Sequence, residues 1–472
     1  MGIRARSEPA VQRLALMALR ASRLKAAPVA LPIASGDLNL CFELLTIYYR
    51  GPSTRNWIPI RQQMKILYLS ACAQLGGAEK SLLDILASMR AAKPDWPLQL
   101  VVSEDGPLVP RSSALGVATT VVSLPPELAQ MGDAAVGGPA GHQQSRWSLL
   151  VRIFLAAPAV LSYVRSLRTL VREIAPDVIH SNGFKMHLLG VWSKPARIPI
   201  IWHIHDYVST RPLMARLIRR YCTRAALAVA NSNSVAADLT SVVGERLTIS
   251  TIYNGVDLEK FSPLGPRLDL DTLSGFEPAA PETIRVGLLA TLARWKGHET
   301  FLQAMALIPA DVPARGYVAG GALYQTNGSQ LSLPELKRLA GGLGISDRIG
   351  FTGFIDEPAS AMRSLDIVVH ASTEPEPFGL VIVEGMACGR AVIASEGGGA
   401  SELISVGTNA LGHAPGDAQA LAHCITRLAT DSGLRRRLGE AGRSTAEQRF
   451  GRDRLADELV PLYRSLSDAT SG

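Results

Sequence analysis

The chain runs twice through one pattern: short, strongly apolar runs alternate with segments of helical periodicity, and a proline-punctuated stretch separates the two series. Such alternation specifies parallel sheets covered by helices, because parallel strands need a crossover long enough to hold a helix. The first series places strands at 65–70, 98–103, 118–123, 177–180, 198–203, 226–230 and 248–253. The second places them at 284–290, 315–319, 348–354, 366–370 and 391–395. Between the two, residues 258–283 carry Pro263, Pro266, Pro278 and Pro281, the marks of an interdomain linker. The expected fold class is therefore α/β, with two Rossmann-like domains facing a cleft and the chemistry in loops beyond the carboxyl ends of the strands. The divisions read from the sequence are an extension over 1–63, a first domain over 64–258, a linker over 259–283, a second domain over 284–455 and a C-terminal helix over 456–472 that packs back on the first domain.

Composition narrows the class further. Apolar residues make up 47% and charged residues 19%, a folded rather than a disordered composition. The formal charge of +7 is concentrated at one end: residues 1–63 hold nine Lys or Arg against three acids, which supplies +6 of it. The remainder is nearly neutral, so no nucleic-acid partner is expected. Five cysteines (Cys41, Cys72, Cys222, Cys388, Cys424) are widely separated and form no Cys-x-x-Cys pair. Neither a disulfide framework nor a zinc site is indicated, and a reducing, cytoplasmic compartment fits. No run reaches the ~18–20 apolar residues of a membrane span. Two readings stand for residues 1–63, which lack the layout of a secretory signal. They hold a basic amphipathic helix over 11–24 that touches a membrane surface, or the native fold begins at the strand-like Met64-Lys65-Ile66-Leu67-Tyr68-Leu69-Ser70. A Gly- and Ala-rich stretch over 130–144 reads as a flexible loop.

Four motifs carry chemistry. In Glu376-Pro377-Phe378-Gly379-Leu380-Val381-Ile382-Val383-Glu384 two carboxylates stand eight positions apart, after a strand and leading into a helix. Glu376 is placed at the mouth of the turn and Glu384 about two turns along, with the helix-start N–H groups of Phe378, Gly379 and Leu380 between them for phosphate or sugar hydroxyls. Arg294-Trp295-Lys296-Gly297 follows the first strand of the second domain, where two cations suit a departing nucleoside diphosphate. Gly76-Gly77-Ala78-Glu79 opens a helix after the first strand of the first domain, and Gly77 allows close approach of a ligand. That turn lacks a full Gly-x-Gly-x-x-Gly, which argues against a nicotinamide cofactor. In Trp202-His203-Ile204-His205-Asp206 the two histidines share one strand face, and His205, nearer the carboxyl end, is the candidate for the cleft. His203 reads equally as a ligand or as a structural histidine. Asp269-Leu270-Asp271 mimics an Asp-x-Asp metal site, but it lies in the linker with no strand before it, so two solvated acids are expected.

With these residues in place, the chain from Met64 to Ser467 resembles glycosyltransferase family four, the retaining GT-B enzymes, more closely in its second half than in its first. The matching segments include Gly76-Gly77-Ala78-Glu79, Asn231-Ser232-Asn233-Ser234, Asn254-Gly255-Val256-Asp257, Lys296-Gly297 and the Glu-x7-Glu run. The resemblance implies that Glu376 contacts the transferred sugar, Glu384 the ribose hydroxyls and Lys296 the diphosphate, that Gly77 lies near the phosphates and acceptor, and that His205 is the active-site histidine. One departure stands out: many members have Gly-Arg-Leu where this chain has Ala290-Thr291-Leu292. Thr291 replaces the usual arginine, and Arg294 is the cation expected to compensate.

The resemblance implies transfer of a sugar from a nucleotide-sugar donor to a saccharide or lipid-linked acceptor, with retention and with neither metal nor cofactor. A sugar-nucleotide epimerase and a non-catalytic nucleotide-sugar binding protein are the alternatives. Residues 146–172 add a basic segment rich in apolar and aromatic side chains. It reads either as a peripheral membrane contact on anionic lipid, serving a cell-envelope acceptor, or as two helices split at Pro158 that pack on the first sheet.

Overall fold

The computed structural model describes residues 48–49, 58–59, 63–126, 146–321 and 330–471, with only the backbone described for 48–49, 58–59, 146–156 and 470–471. The expected helix at 11–24, the loop at 130–144 and the stretch 322–329 lie outside the described residues. The chain divides into two units, Met1–Gln62 and Gln63–Gly472. In the first, Tyr48–Tyr49 pairs antiparallel with Ile58–Pro59. The second unit holds two lobes.

The first lobe is a seven-stranded parallel sheet formed by β1 (Ile66–Ser70), β2 (Leu98–Val102), β3 (Ala118–Val121), β4 (Val178–Asn182), β5 (Ile200–Ile204), β6 (Leu227–Ala230) and β7 (Ile249–Thr251). Its strand order is β3-β2-β1-β4-β5-β6-β7. The second lobe has six parallel strands: β8 (Ile284–Leu289), β9 (Ala314–Ala319), β10 (Ile349–Gly353), β11 (Ile367–His370), β12 (Ala391–Ser395) and β13 (Leu411–His413), in the order β10-β9-β8-β11-β12-β13. Both sheets reverse direction of growth at one point, between β1 and β4 and between β8 and β11, where open α/β sheets bind ligands. Every strand expected from the sequence overlaps an observed one. The edge strand β13 was not foreseen, since Leu411-Gly412-His413 contains no apolar run.

Helices α1 (Gly77–Ala92), α3 (Asn233–Val243) and α4 (Leu380–Ala387) border the site, and α2 (Arg146–Ile174) packs on the first lobe. Pro158 does not split α2, which is one helix. Tyr163, Val164, Leu167, Val171 and Ile174 are buried in the first-lobe core and hold its second half, whereas Arg165, Arg168 and Arg172 face solvent. This half of the segment is core packing with a basic outer side. The side chains of its first half are not described.

The linker corrects another expectation. Asp271 is not solvated but 3% exposed. Arg285 and Arg315 lie 2.9 and 2.6 Å from its carboxylate, and the Tyr317 hydroxyl donates to it. Burial alone would raise this carboxyl, but the Tyr317 and arginine hydrogen bonds hold it well below the usual range. Asp269 caps the short helix Leu270–Ser274 through Thr272 N, at 3.0 Å. Asp271 therefore fastens the linker to the base of the second lobe, while Asp269 stays exposed, as expected, and caps its own helix.

The chain crosses between lobes again after Phe450. Arg452 pairs with Asp257 at 2.6 Å beside the Val256–Phe450 backbone hydrogen bond. The last helix, α5 (Arg454–Ser471), then lies on the first lobe. Its Leu455, Ala456, Leu459 and Tyr463 enter the core that contains Tyr68, Ile85 and Met89.

Candidate active site

A cleft of about 720 Å³ lies between the lobes at the carboxyl ends of both sheets. From the first lobe it is lined by Gly76, Gly77, Lys80, His205, Asp206, Arg211 and Asn231. From the second it is lined by Thr291, Lys296, Gln330, His370, Ser372, Glu376, Phe378, Gly379, Leu380 and Glu384. A Cβ placed on Gly77 would lie 3.8 Å from Leu380 Cδ1, so the starts of α1 and α4 face each other. The first N–H groups of a helix have no intrahelical acceptor and carry partial positive charge, which makes this a seat for phosphate.

Glu376 is 7% exposed and heavily engaged. Lys296 Nζ donates to its two oxygens at 2.8 and 2.7 Å, and Ser372 Oγ donates at 2.7 Å. His370 Nε2 lies 3.3 Å away. Burial by itself would raise the carboxyl, but Lys296 and His370 outweigh it and hold the group well below the usual range. Glu376 is thus a fixed anion.

Local geometry brings this pair together. Gly297 sits at φ +76°, and a Cβ there would fall 1.8 Å from the Ala371 carbonyl oxygen. Only glycine lets the Lys296 turn press this closely on the end of β11. Thr373 N donates to Trp295 O at 2.8 Å and locks the two loops side by side. Glu384 lies four residues into α4, a little over one turn and not two, because the segment from Glu376 to Gly379 is not helical. It is 8% exposed, and burial raises its carboxyl against the opposing pull of Lys80 and Lys260.

On the opposite wall, both ring nitrogens of His205 are buried and find no hydrogen-bond partner among the described residues. Burial holds its imidazole down to about 3. The His203 and His205 rings lie 4.0 Å apart, as the shared strand face requires. Among the described residues no group of three or more His, Cys, Asp or Glu is arranged to hold a metal ion.

Arg294 corrects the expected compensation. It does not line the cleft, whose nearby wall is formed by Thr291, Trp295 and Lys296. Its guanidinium lies 3.5 Å from Glu299 and 3.3 Å from Glu335, on a side chain 48% exposed. The left-handed Gly297 turn aims Lys296 inward and leaves Arg294 outward. The cleft cations not foreseen are Lys80, in the first turn of α1 directly after Gly76-Gly77-Ala78-Glu79, and Arg211. His370 and Ser372, six and four residues before Glu376, were also missed. Their signal was position alone, at the end of a strand feeding the motif.

The lobes are latched beside the cleft. Glu402 reaches from the second lobe to the start of α3, accepting from Asn233 N at 2.9 Å and Ser234 N at 2.7 Å. Tyr207 OH donates to Glu376 O at 3.2 Å. The Asn231-Ser232-Asn233-Ser234 segment is thus an interlobe contact, with Ser232 capping α3 at 3.1 Å. An adjoining pocket of about 620 Å³ shares Asp206, Arg211, Trp295 and Pro377 with the cleft.

Known proteins match this arrangement. Residues 76–260 match the family described as Glycosyltransferase Family 4, and residues 274–445 match Glycosyl transferases group 1. D-inositol 3-phosphate glycosyltransferase 2 of Catenulispora acidiphila is 33% identical over 321 residues, 62% of this chain and 71% of that protein. The chain belongs to glycosyltransferase family 4. A second relative of this glycosyltransferase, the D-inositol 3-phosphate glycosyltransferase of Streptomyces bingchenggensis, is 33% identical over 61% of this chain and 66% of its own length. The chain thus spans about two thirds of the length of these two relatives. Among solved structures, Anabaena HepE in complex with UDP-glucose superposes with a TM-score of 0.68 at 27% identity, over 85% of this chain and all of that one. The fold of this glycosyltransferase is GT-B, shared with sucrose-phosphate synthase of Thermosynechococcus elongatus at a TM-score of 0.66 and 22% identity. No described helix is long and apolar enough to cross a membrane.

Proposed function

We propose that this glycosyltransferase moves a hexosyl unit from a nucleoside diphosphate sugar to a saccharide or lipid-linked acceptor, retaining the anomeric configuration and needing no metal ion or cofactor. The observation that carries the reading is the buried Glu376–Lys296 pair, set in one cleft with Glu384 and the facing starts of α1 and α4. An ammonium has three N–H donors. Two reach Glu376, and in this reading the third turns from the Trp295 ring, whose centroid lies 3.9 Å from Lys296 Nζ, to the leaving diphosphate, whose growing charge Lys80 and the two helix starts also neutralise. Glu376 orients the sugar, and Glu384 accepts from the ribose hydroxyls. His205 offers an uncharged ring nitrogen to the sugar from the first lobe. The donor phosphate and enzyme groups assist departure and attack on one face, and no covalent protein nucleophile is assigned.

The complex of HepE with UDP-glucose supports a nucleotide-sugar donor and makes UDP-glucose the first probe. The adjoining pocket sets the Trp295 ring beside Ser209, Thr210 and Ser234, which suits a polyol acceptor entering next to Asp206. Exposed Arg165, Arg168, Arg216, Arg219 and Arg220 on α2 and the helix Pro212–Tyr221 favour attachment to an anionic membrane surface at the cytoplasmic face, where an envelope acceptor would be presented.

A panel of nucleotide sugars incubated with and without acceptor, in the presence of a chelator, tests the reading. Glycosylated acceptor is expected. Epimerised donor would establish an epimerase, and donor bound but unchanged would establish a binding protein.

A further inference from the structure

Behind His205 lies a row of buried polar rings that the transfer reaction does not use. Tyr463 OH, on α5, lies 2.8 Å from His180 Nδ1. His180 Nε2 lies 3.1 Å from His203 Nδ1. The His203 ring then packs on that of His205 at a centroid distance of 4.0 Å and a tilt of 32°. Tyr463, His180 and His203 are 0, 0 and 2% exposed. The residues around them on this face include apolar Val178, Ile201 and Val229 as well as the phenol of Tyr68, so packing alone does not call for two imidazoles.

We infer that Tyr463, His180 and His203 form a buried positioning chain that fixes the plane of the His205 imidazole and ties it to the docking of the C-terminal helix. The inference rests on the proposed function only in placing His205 at the transferase site.

Two hydrogen bonds tie the chain together and couple the tautomers of its rings. Burial holds His180 down to about 3 and His203 well below its ordinary value, so both rings are neutral, each with one N–H and one lone pair. Two arrangements satisfy both bonds. In one, Tyr463 donates to His180, His180 donates to His203, and His203 carries its proton on Nε2. In the other every bond is reversed, and Tyr463 must spend its proton on Tyr68, whose hydroxyl is 3.4 Å away. That separation is too long for a sound O–H···O bond, which spans ~2.5–3.0 Å. Either arrangement keeps both bonds, and in the first the buried His203 Nε2–H meets no acceptor among the described residues. A ring locked in plane restrains the ring stacked on it, as a connected buried network does. Because α5 follows the crossing at Arg452, the chain joins the seating of the C-terminal segment to the cleft.

The test uses the full chain labelled with ¹⁵N-histidine, nine residues in all, and multiple-bond ¹H–¹⁵N spectra that separate the two tautomers. His180 and His203 are expected to carry the same tautomer in the unaltered protein, both Nε2–H or both Nδ1–H, a readout that needs neither a variant nor activity. Tyr463→Phe, which removes one hydroxyl, is expected to disturb the His180 and His203 signals and to lower kcat about tenfold with donor KM within about twofold. Tyr68→Phe is expected to leave both signals and kcat native. Opposite tautomers on His180 and His203, which would set two lone pairs or two N–H groups against each other, overturn the inference. So does a native kcat in Tyr463→Phe, or a loss in that variant shared equally by KM. Absence of transfer in the unaltered protein with every donor would defeat the proposed function instead, and the imidazole spectra would still decide the chain.

Discussion

The two walls of the cleft are built on opposite terms. On the second lobe the Glu376 carboxylate is held by Lys296, Ser372 and His370 before any ligand arrives. On the first lobe His205 has neither ring nitrogen engaged within the described protein, and Asn231 Oδ1 is likewise buried without a partner. Buried polar groups cost free energy unless something answers them. The second-lobe wall thus holds a preorganised ion pair, while the first-lobe wall sets the uncharged His205 and Asn231 beside the charged side chains of Lys80, Asp206 and Arg211. The difference sets a fixed ion pair on the second lobe against a mixture of charged and uncharged groups on the first.

The largest expected effect breaks the preorganised wall. Glu376→Gln should lower kcat by about 10²–10³, the usual loss when one preorganised electrostatic group is removed. Its donor KM should change far less, and steady-state kinetics separate the two. The same substitution has a pH signature in stability. A carboxyl depressed in the folded state contributes stability above its unfolded value near ~4.3, and that contribution is lost as pH falls through this range. The melting temperature of the unaltered protein should therefore drop on acidification below about pH 4 more than that of Glu376→Gln. Parallel curves would remove the buried ion pair from the explanation.

Next comes the donor grip. Glu384→Ala should raise donor KM or Kd about tenfold, consistent with lost hydrogen bonds to a charged group, with a smaller change in kcat. Calorimetric titration with UDP checks it without an acceptor. Undiminished UDP binding would move the ribose contact elsewhere.

A subtler prediction addresses His205 on the first-lobe wall. With its pKa held at about 3, His205 is neutral throughout the range in which the enzyme would be assayed. The kcat profile between pH 5 and 8 should then show no limb that disappears in His205→Asn. A limb near the ordinary histidine value of ~6.5 that the substitution abolishes would show that His205 titrates, against its burial.

The smallest effect belongs to Arg294. Its partners are exposed, and such pairs contribute only about 0–1 kcal/mol. Arg294→Ala should leave kcat/KM within about twofold. Lys80→Ala should cost more in the same assay, because Lys80 lines the cleft. The reverse order would reinstate Arg294 as the missing cation.

What the sequence made legible follows from distance along the chain. Glu376, Phe378, Gly379, Leu380 and Glu384 are contiguous, so strand, turn and helix place them together without tertiary knowledge. Lys296 was legible as a residue type after a strand, but its partner lies 80 positions away. The orientation of Arg294 was not legible, since it depends on the Gly297 turn and on Glu335, 41 positions away. Asp271 misled for the same reason: Arg285, Arg315 and Tyr317 stand 14, 44 and 46 positions along the chain. Least visible was the row behind His205, where Tyr463 meets His180 across 283 positions. The double βα alternation needed none of these pairings, because each strand and helix announces its own periodicity.

The stereochemistry of the first-formed product tests the proposed transfer most directly. The protein, a donor identified from the panel and its acceptor are mixed in the presence of a chelator, and the anomeric proton coupling is followed by NMR from the first minutes. Retention predicts a product with the same anomeric configuration as the donor, formed at a rate the chelator does not change. A product of opposite configuration, or one that forms only when a divalent metal is restored, would contradict it.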